Sequence, residues 1–397
     1  MADKQIVRFG IVGLGNMGSN HARTFMAGGI RDAALTAVCD LRGERLGWAR
    51  ENVPDVRTFE RASDMFASGA IDAVILAAPH YSHPPLAIEA FAHKIHVMCE
   101  KPAGVYGKQV AEMNRAAAAA RKDGIVFGLM FNQRTNSLFK KMREMAQGGE
   151  LGRLRRNNWL AANWYRSQLY YDSGEWRATW AGEGGGVLLN QSPHNLDLWQ
   201  WICGMPKRIM AFCHEGKWHD IEVEDDVTAY AEYEDGSTGV FVASTGDPAG
   251  DNRFAITGDR GKLVFEDGGL TFCKLRVPEP EFNRTNTQPF KSPPFDRIAV
   301  ETDGSDPEHA GVLQAFTDCI LGRGELVARG EEGANGVMIS NAMHLSSWLG
   351  RPVELPVDED LYYDMLQKKV RAARGKTGVR KRVREAVVED MRDSFNV

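Results

Sequence analysis

The feature that most constrains the fold is an apolar segment that runs directly into a glycine-rich turn. Residues 5–13, QIVRFGIVG, are apolar enough for a strand buried on both faces of a parallel sheet. A helical pattern begins at Asn16, and glycines stand at 13, 15 and 18 around that start. Gly13 permits a tight turn, and Gly18 permits close packing of the helix on the strand. The segment therefore predicts the first strand–helix unit of an open α/β sheet.

The alternation of strand and helix continues over the first third of the chain. It predicts a parallel sheet with right-handed crossovers. After residue 132 the pattern changes to longer, alternating, aromatic-rich segments separated by turn signals, which predicts an open, mostly antiparallel sheet. Residues 278–308 are proline-rich and predict an irregular surface loop.

A chain of 397 residues is too long for one ordinary core, so at least two domains are predicted. The fold class is α/β, with an N-terminal doubly wound Rossmann domain at 1–132 and a C-terminal α/β domain at 133–360. Residues 361–397 form a basic extension, with nine Lys and Arg and no acid between Lys368 and Arg384. We expect a solvated segment that packs on a neighbouring subunit; a nucleic-acid or membrane role has no support from so short a run.

Composition excludes several classes of function. A net charge of −5 gives no general attraction to nucleic acid or to a membrane surface. No apolar run approaches the roughly 20 residues that span a bilayer. The strand pattern begins almost at once, so no signal peptide is expected. Six scattered cysteines without a C-x-x-C pair predict reduced thiols in a cytoplasmic protein.

The glycine turn predicts a dinucleotide site. Gly15 lets the backbone approach a pyrophosphate, and the helix start at Asn16 and Met17 stabilises its charge. Asp40 ends the second predicted strand, where a carboxylate accepts hydrogen bonds from a ribose 2′-hydroxyl. This position favours NAD. Arg42 would pair with a 2′-phosphate, so NADP remains the alternative cofactor. The alternative to a cofactor site is a glycine turn that has only a structural role and binds nothing.

A charged pair, Glu100 and Lys101, follows the strand 95–100 in the sequence CEKPAG. Ligands of an open parallel sheet bind beyond the carboxyl ends of its strands, so this pair is expected near the cofactor. A positively charged nicotinamide would disfavour the ammonium form of Lys101, which could then exchange a proton near neutral pH. The alternative is an ordinary surface pair at a strand end.

A third site is predicted at the start of a helix, in LNQSPHNLDLW. Ser192 suits an N-cap and Pro193 the first helical position. His194 then lies in the first turn, where the helix dipole disfavours an imidazolium and leaves a neutral base. Asn190 lies four residues earlier. From the residues alone, a structural histidine remains the alternative.

The segment 163–186 is crowded with Trp, Tyr and Arg before a glycine run. Aromatic rings pack on the C–H faces of sugars, and arginines reach hydroxyl groups. The substrate candidates are Tyr165, Arg166, Trp176 and Arg177, with a core or interface strand as the alternative for each.

Three segments together, the glycine turn, residues 77–104 and residues 182–204, resemble the glucose–fructose oxidoreductase, inositol dehydrogenase and MocA (Gfo/Idh/MocA) family. The likeness runs to about residue 356. It implies NAD(P)-linked chemistry on sugars or cyclitols, and a second domain whose open sheet forms the interface of a homodimer or homotetramer. It also implies a cis peptide before Pro102.

The resemblance further implies roles for individual residues. Its catalytic histidine falls on His194, and Pro79, His80 and His83 line the cofactor ribose and nicotinamide. Many family members carry Asp where this chain has Asn190, and Asn cannot take a proton. Lys101 and His194 are then left to carry the proton chemistry, with Asn190 orienting the substrate hydroxyl.

These predictions lead to an NAD(P)-dependent dehydrogenase that oxidises a secondary hydroxyl of a sugar, glycoside or cyclitol. The first alternative is a glycoside-cleaving enzyme that uses transient oxidation and elimination, and the second is a non-catalytic NAD-bound sensor. His80, His83 and His194 are possible metal ligands by residue type, but we expect no metal, because a dehydrogenase with a Lys acid/base needs none.

Overall fold

The computed structural model describes residues 5–373, which form two compact units. The first unit comprises the chain up to Thr135 and the later segment Asp306–Val337. The second comprises Asn136–Ser305 and the chain from Met338 onward. Residues 374–397, which hold most of the predicted basic extension, lie outside the described part of the chain.

The first unit is built on one six-stranded parallel sheet. Its strands are β1 Val7–Val12, β2 Ala33–Cys39, β3 Arg57–Phe59, β4 Ala73–Leu76, β5 His96–Cys99 and β6 Phe127–Leu129. They lie in the order 3-2-1-4-5-6, which is the doubly wound arrangement. The predicted Rossmann sheet is therefore confirmed.

Helices connect these strands and cover the sheet, so that every residue of β4 is buried. The helices are α1 Asn16–Met26, α2 Gly43–Asn52, α3 Ala62–Ala67, α4 His83–Ala92 and α5 Gly107–Ala120. Short 3₁₀ turns lie at His80–Ser82, Arg121–Asp123 and Asn132–Thr135.

The second unit holds a nine-stranded sheet and its helices. In chain order the elements are α6 Ser137–Gln147, β7 Leu154–Ala161, α7 Gln168–Asp172, α8 Pro193–Cys203, β8 Arg208–Glu215, β9 Glu224–Glu232, β10 Thr238–Ser244, β11 Asn252–Gly258, β12 Gly261–Glu266, β13 Gly269–Leu275, α9 Glu279–Thr285 and β14 Phe295–Ala299.

The last elements are α10 Glu308–Ile320, a 3₁₀ turn Gly330–Glu332, α11 Gly333–Leu349, β15 Val353–Glu354 and α12 Glu359–Ala372. The nine strands lie in the order 14-13-12-11-7-10-9-8-15. Among these pairs only β7 with β10 is parallel, so the predicted open, mostly antiparallel sheet is confirmed.

The predicted second domain, 133–360, differs from the observed units because α10 belongs to the first one. This helix buries Val312, Leu313 and Phe316 in a core cluster with Phe9 of β1, and the rings of Phe9 and Phe316 lie 6.1 Å apart. Apolar burial of this kind holds a distant segment on the sheet. The helical pattern predicts α10 itself but says nothing about which sheet it covers.

The predicted irregular loop at 278–308 is wrong in part, because it contains α9 and β14. All five residues of β14 are exposed and the strand pairs only with β13, at the edge of the sheet. A strand without a buried face has no apolar alternation in its sequence.

The nine-stranded sheet has one covered face and one open face. On the covered face, Trp159 of β7 stacks on Phe254 of β11 with ring centroids 4.3 Å apart. On the open face, Phe212 of β8 and Tyr230 of β9 remain exposed.

Candidate functional site

The glycine turn between β1 and α1 has the geometry of a dinucleotide site. Gly13 has φ +91°, and a Cβ there would lie 2.5 Å from the Ala77 carbonyl oxygen. A Cβ on Gly18 would lie 1.8 Å from the Gly13 carbonyl oxygen. At Gly15 a Cβ would meet no protein atom within 4 Å. Packing therefore requires the first and third glycines, whereas the space above Gly15 fits a pyrophosphate.

The start of α1 adds to this fit. Gly15 is the N-cap, the helix begins at Asn16, and the first turn holds no acidic residue. No side chain caps the helix, so the amide groups around Asn16 and Met17 face the turn with the positive end of the dipole. An anionic group would be stabilised there.

Asp40 lies directly after β2 and is buried. Its Oδ2 accepts a hydrogen bond from the Leu14 backbone N–H at 2.7 Å, and its Oδ1 accepts one from the Arg42 N–H at 2.9 Å. The Arg42 Nε lies 3.4 Å from the same Oδ1, with 53% of the Arg42 side chain exposed. Asp40 thus anchors the glycine turn and keeps lone pairs for a ribose hydroxyl.

Glu100, after β5, is an internal anchor rather than a surface group. Its Oε1 lies 2.7 Å from the Nε2 of His21 on α1, and both side chains are buried. Its Oε2 accepts a hydrogen bond from the Lys101 backbone N–H at 3.3 Å. Burial raises the pKa of Glu100, but the hydrogen bond and charge of His21 outweigh it and bring the value to about 2. The backbone at Lys101 is thereby fixed, and the Lys101–Pro102 peptide is cis.

A second histidine, His309 on α10, lies beside this pair. Its ring meets that of His21 edge-on with centroids 5.6 Å apart. Burial lowers the pKa of His309 to about 4, so the ring is neutral near pH 7. No local pattern marks His309, because it reaches Glu100 only through the packing of α10.

Pro79, His80 and His83 follow β4, as predicted. His80 is buried in the 3₁₀ turn. His83 places Nδ1 2.8 Å from the Pro102 carbonyl oxygen and Nε2 2.7 Å from the Ala78 carbonyl oxygen. Both partners are acceptors, and burial lowers the pKa of His83, so the single N–H of the neutral ring donates to one of them. We infer that this hydrogen bond helps to position these loops.

Three further features of the described residues concern metals, thiols and membrane spans. Within residues 5–373, no group of three or more His, Cys, Asp or Glu side chains is arranged to hold a metal ion. All six cysteines are free thiols. No helix in this range is long and apolar enough to cross a membrane.

In the second unit, His194 lies in the first turn of α8. Ser192 is the N-cap residue and Pro193 begins the helix, as predicted, although the Ser192 side chain does not cap it. His194 is only 3% exposed. The histidine is therefore held at the positive end of a buried helix.

Asn190 is part of a hydrogen-bonded network. Its Nδ2 donates to the Oε1 of Glu183, and its Oδ1 accepts from the hydroxyl of Tyr170 at 3.1 Å. Gln191 Nε2 donates to the same Tyr170 oxygen at 3.1 Å. Glu183 is 2% exposed, and burial raises its pKa, against the opposing charge of Arg177.

Three of the four predicted substrate residues gather around Tyr170. The guanidinium of Arg177 lies 4.5 Å from the Tyr170 ring centre and that of Arg166 lies 5.3 Å from it. Arg177 also donates to the Tyr170 hydroxyl at 2.7 Å and lies 4.8 Å from the Trp176 ring. Tyr165 is 48% exposed, and its backbone carbonyl accepts a hydrogen bond from the Arg166 guanidinium at 2.8 Å.

A buried acid holds the loop that leads to Asn190. The Oε1 of Glu224 accepts hydrogen bonds from the Gly186 and Leu188 N–H groups at 2.9 and 3.0 Å. Its Oε2 lies 3.0 Å from the Nε2 of His344, and both side chains are fully buried. Burial raises the pKa of Glu224, but His344 and the two N–H groups lower it overall.

Sequence reasoning missed Tyr170, Glu183 and Glu224. It also missed His344 beside Glu224, and His21 and His309 beside Glu100. Two signals were present. Glu183 interrupts the small-residue run AGEGGG, and Glu224 is a buried acid at the start of β9, a strand whose residues alternate between buried and exposed. An acid in such surroundings is buried only when it is paired.

Comparison with known proteins agrees with this geometry. The model of the oxidoreductase family with an NAD-binding Rossmann fold matches residues 7–131, and that of the GFO/IDH/MocA C-terminal domain matches residues 139–264. Together they cover more than half of the chain.

Individual relatives belong to the same group. Myo-inositol 2-dehydrogenase of Thermotoga maritima is 24% identical over 269 residues, 66% of this chain and 75% of that protein. The rhizopine catabolism protein MocA of Rhizobium meliloti is 27% identical over 50% of this chain and 57% of its own length. The WlbA dehydrogenase of Chromobacterium violaceum, solved with NADH and UDP-GlcNAcA, has a TM-score of 0.77 at 26% identity, over 90% of this chain and 98% of that one.

The matched domains and the glycine turn identify the cofactor as NAD, or NADP, and the protein as an oxidoreductase. The chain belongs to the Gfo/Idh/MocA family.

Proposed function

We propose that the protein oxidises a secondary hydroxyl of a sugar, glycoside or cyclitol, with Lys101 and His194 as its acid–base groups. The observation that carries this proposal is the position of Lys101 directly after β5. The glycine turn follows β1, and only β4 lies between the two strands. Neighbouring strands are about 4.8 Å apart, so Lys101 follows a strand about 10 Å from the cofactor turn, at the edge where such sheets bind ligands.

The two groups have separate tasks. His194, at the positive end of α8, is disfavoured as an imidazolium and accepts the proton of the substrate hydroxyl. Lys101 stabilises the alkoxide, and its backbone is held by Glu100. Asn190 orients the hydroxyl. The bound nicotinamide supplies the hydride acceptor.

A cyclic polyol suits the residues around Tyr170. The rings of Tyr170 and Trp176 offer faces for the C–H groups of a sugar, and Arg166 and Arg177 offer donors for hydroxyl oxygens. The inositol dehydrogenase relative and the UDP-GlcNAcA complex of the WlbA relative support a substrate of this class.

The test is to incubate the protein with NAD, and then with NADP, and with inositols, aldoses or glycosides. The measured quantity is the absorbance of the reduced nicotinamide that forms. Turnover of one substrate class supports the proposal. Release of an aglycone without net NADH would replace it with transient oxidation and elimination. NAD binding with no turnover of any substrate would favour the non-catalytic sensor.

We also propose that the open sheet face forms a homodimer or homotetramer interface. By register, Phe212, Val242 and Leu160 share this face. Met210 and Tyr230 are paired on it as well. An exposed apolar sheet face of this kind is typical of a subunit interface.

The six free thiols support a cytoplasmic location.

A further inference from the structure

The orientation of the Asn190 amide is set by a neighbouring carboxylate. Its Nδ2 donates to Glu183 and its Oδ1 accepts from Tyr170, so the two ends of the amide face different partners. Both oxygens of Glu183 act as acceptors, one from the Asn190 amide and one from the Ala178 backbone N–H. Rotation of the amide by half a turn would place two acceptor oxygens against each other.

Glu183 itself has no freedom to turn away. Its second oxygen, Oε2, accepts a hydrogen bond from the Ala178 backbone N–H at 2.5 Å, and the side chain is 2% exposed. Loss of either hydrogen bond would leave a buried carboxyl oxygen without that partner, which costs more than the loss of a surface hydrogen bond.

We propose that Glu183 is a positioning residue that makes Asn190 a hydrogen-bond acceptor. The donor end of the amide is taken by Glu183, so its oxygen end faces the donors Tyr170 and Gln191 and acts as an acceptor, as a carboxylate oxygen would. Glu183 and Asn190 together then do what a single Asp would do at residue 190. The proposal rests on the proposed function, in which Asn190 orients a substrate hydroxyl.

The neighbouring hydrogen bonds run in one direction and agree with this assignment. Arg177 donates to the Tyr170 oxygen at 2.7 Å, Tyr170 donates to Asn190, and Asn190 donates to Glu183. The chain begins at the Arg177 guanidinium and ends at the Glu183 carboxyl group. Hydrogen bonds aligned in this way polarise and strengthen one another.

The arrangement predicts that an acid is incompatible with residue 190 as long as residue 183 is an acid. Asn190→Asp would put two carboxylates in direct contact. Like charges this close cannot both ionise, so the pair would share a proton and titrate as a unit, with one raised pKa.

The experiment compares four full-length variants by the pH profile of kcat/KM. Asn190→Asp should gain an alkaline limb, in which activity falls about tenfold per pH unit once the shared proton is lost. The swap Glu183→Gln with Asn190→Asp should remove that limb and return activity to within about threefold of wild type, because an amide again faces a single acid. Glu183→Gln alone should lower kcat/KM without a new limb. Glu175→Gln, an exposed acid in the same segment, is the matched control.

A second measurement needs no turnover. The thermal midpoint of Asn190→Asp should fall between pH 6 and pH 9 more than that of the control, and the swap should restore it. A wild-type pH profile in Asn190→Asp, or a limb that persists in the swap, would overturn the positioning role. If the wild type oxidises no polyol, the proposed function fails, while the thermal midpoints still decide whether Glu183 sets the amide.

Discussion

Gly15 and Gly18 lie three residues apart in one turn, yet alanine should affect them in opposite ways. At Gly18 the added Cβ would lie 1.8 Å from the Gly13 carbonyl oxygen, so α1 must move by about 1.5 Å to reach ordinary contact. At Gly15 the Cβ meets no protein atom within 4 Å. Its backbone, at φ −68° and ψ −164°, also accepts any residue.

These geometries set the expected magnitudes. Gly18→Ala overpacks the turn and should lower the free energy of unfolding by about 1–3 kcal/mol. Each kcal/mol lowers Tm by roughly 2–4 °C. Gly15→Ala should leave Tm nearly unchanged, because a weaker N-cap of about 1 kcal/mol is offset by the reduced entropy of the unfolded chain. Its methyl group would occupy the pyrophosphate position, so NAD should bind at least about tenfold more weakly, or about 1.4 kcal/mol.

Calorimetry provides both numbers: Tm from thermal scans without cofactor, and Kd from titration with NAD. Gly47→Ala on α2 is the matched control, since its Cβ also meets no atom within 4 Å and it lies away from the turn. Wild-type affinity for NAD in a well-folded Gly15→Ala variant would refute the close approach of the pyrophosphate to this glycine.

Four further results are expected. Lys101→Ala should lower kcat by about 10²–10⁴-fold while Kd for NAD stays within about threefold, and an equal loss of NAD affinity would move Lys101 from proton transfer to binding. Asp40→Ala should raise the ratio of kcat/KM with NADP to kcat/KM with NAD. An unchanged ratio would contradict a contact between Asp40 and the ribose. The folded pKa of His309 is about 4 against 6.5 unfolded, so the unfolded chain takes up the proton first and Tm should fall as the pH drops from 6.5 to 4. His309→Gln should flatten that fall, and an identical slope would contradict it. Phe212→Glu on the open sheet face should reduce the mass measured by light scattering to that of a smaller assembly; an unchanged mass would place the interface elsewhere.

Much of the fold was predictable because its signals are local. A buried parallel strand, a glycine turn and a helix start each depend on residues that are close in sequence, and the doubly wound sheet follows from their repetition. The helix α1 begins at Asn16 as predicted, and β2, predicted to end at Asp40, ends at Cys39. β14 was missed, because an exposed edge strand carries no alternation.

The sequence by itself determined the fold class, the family and the chemistry of the cofactor turn. It also marked Lys101, Asn190 and His194, because those residue types stand at a strand end and a helix start. Only the tertiary structure decided which groups face them. Glu183 is seven residues from Asn190, but it meets the amide through an irregular loop that no periodicity describes. His309 reaches His21 because a late helix returns to the first sheet. Local patterns report the burial of a residue, whereas its partner is set by packing between segments that are far apart in the chain.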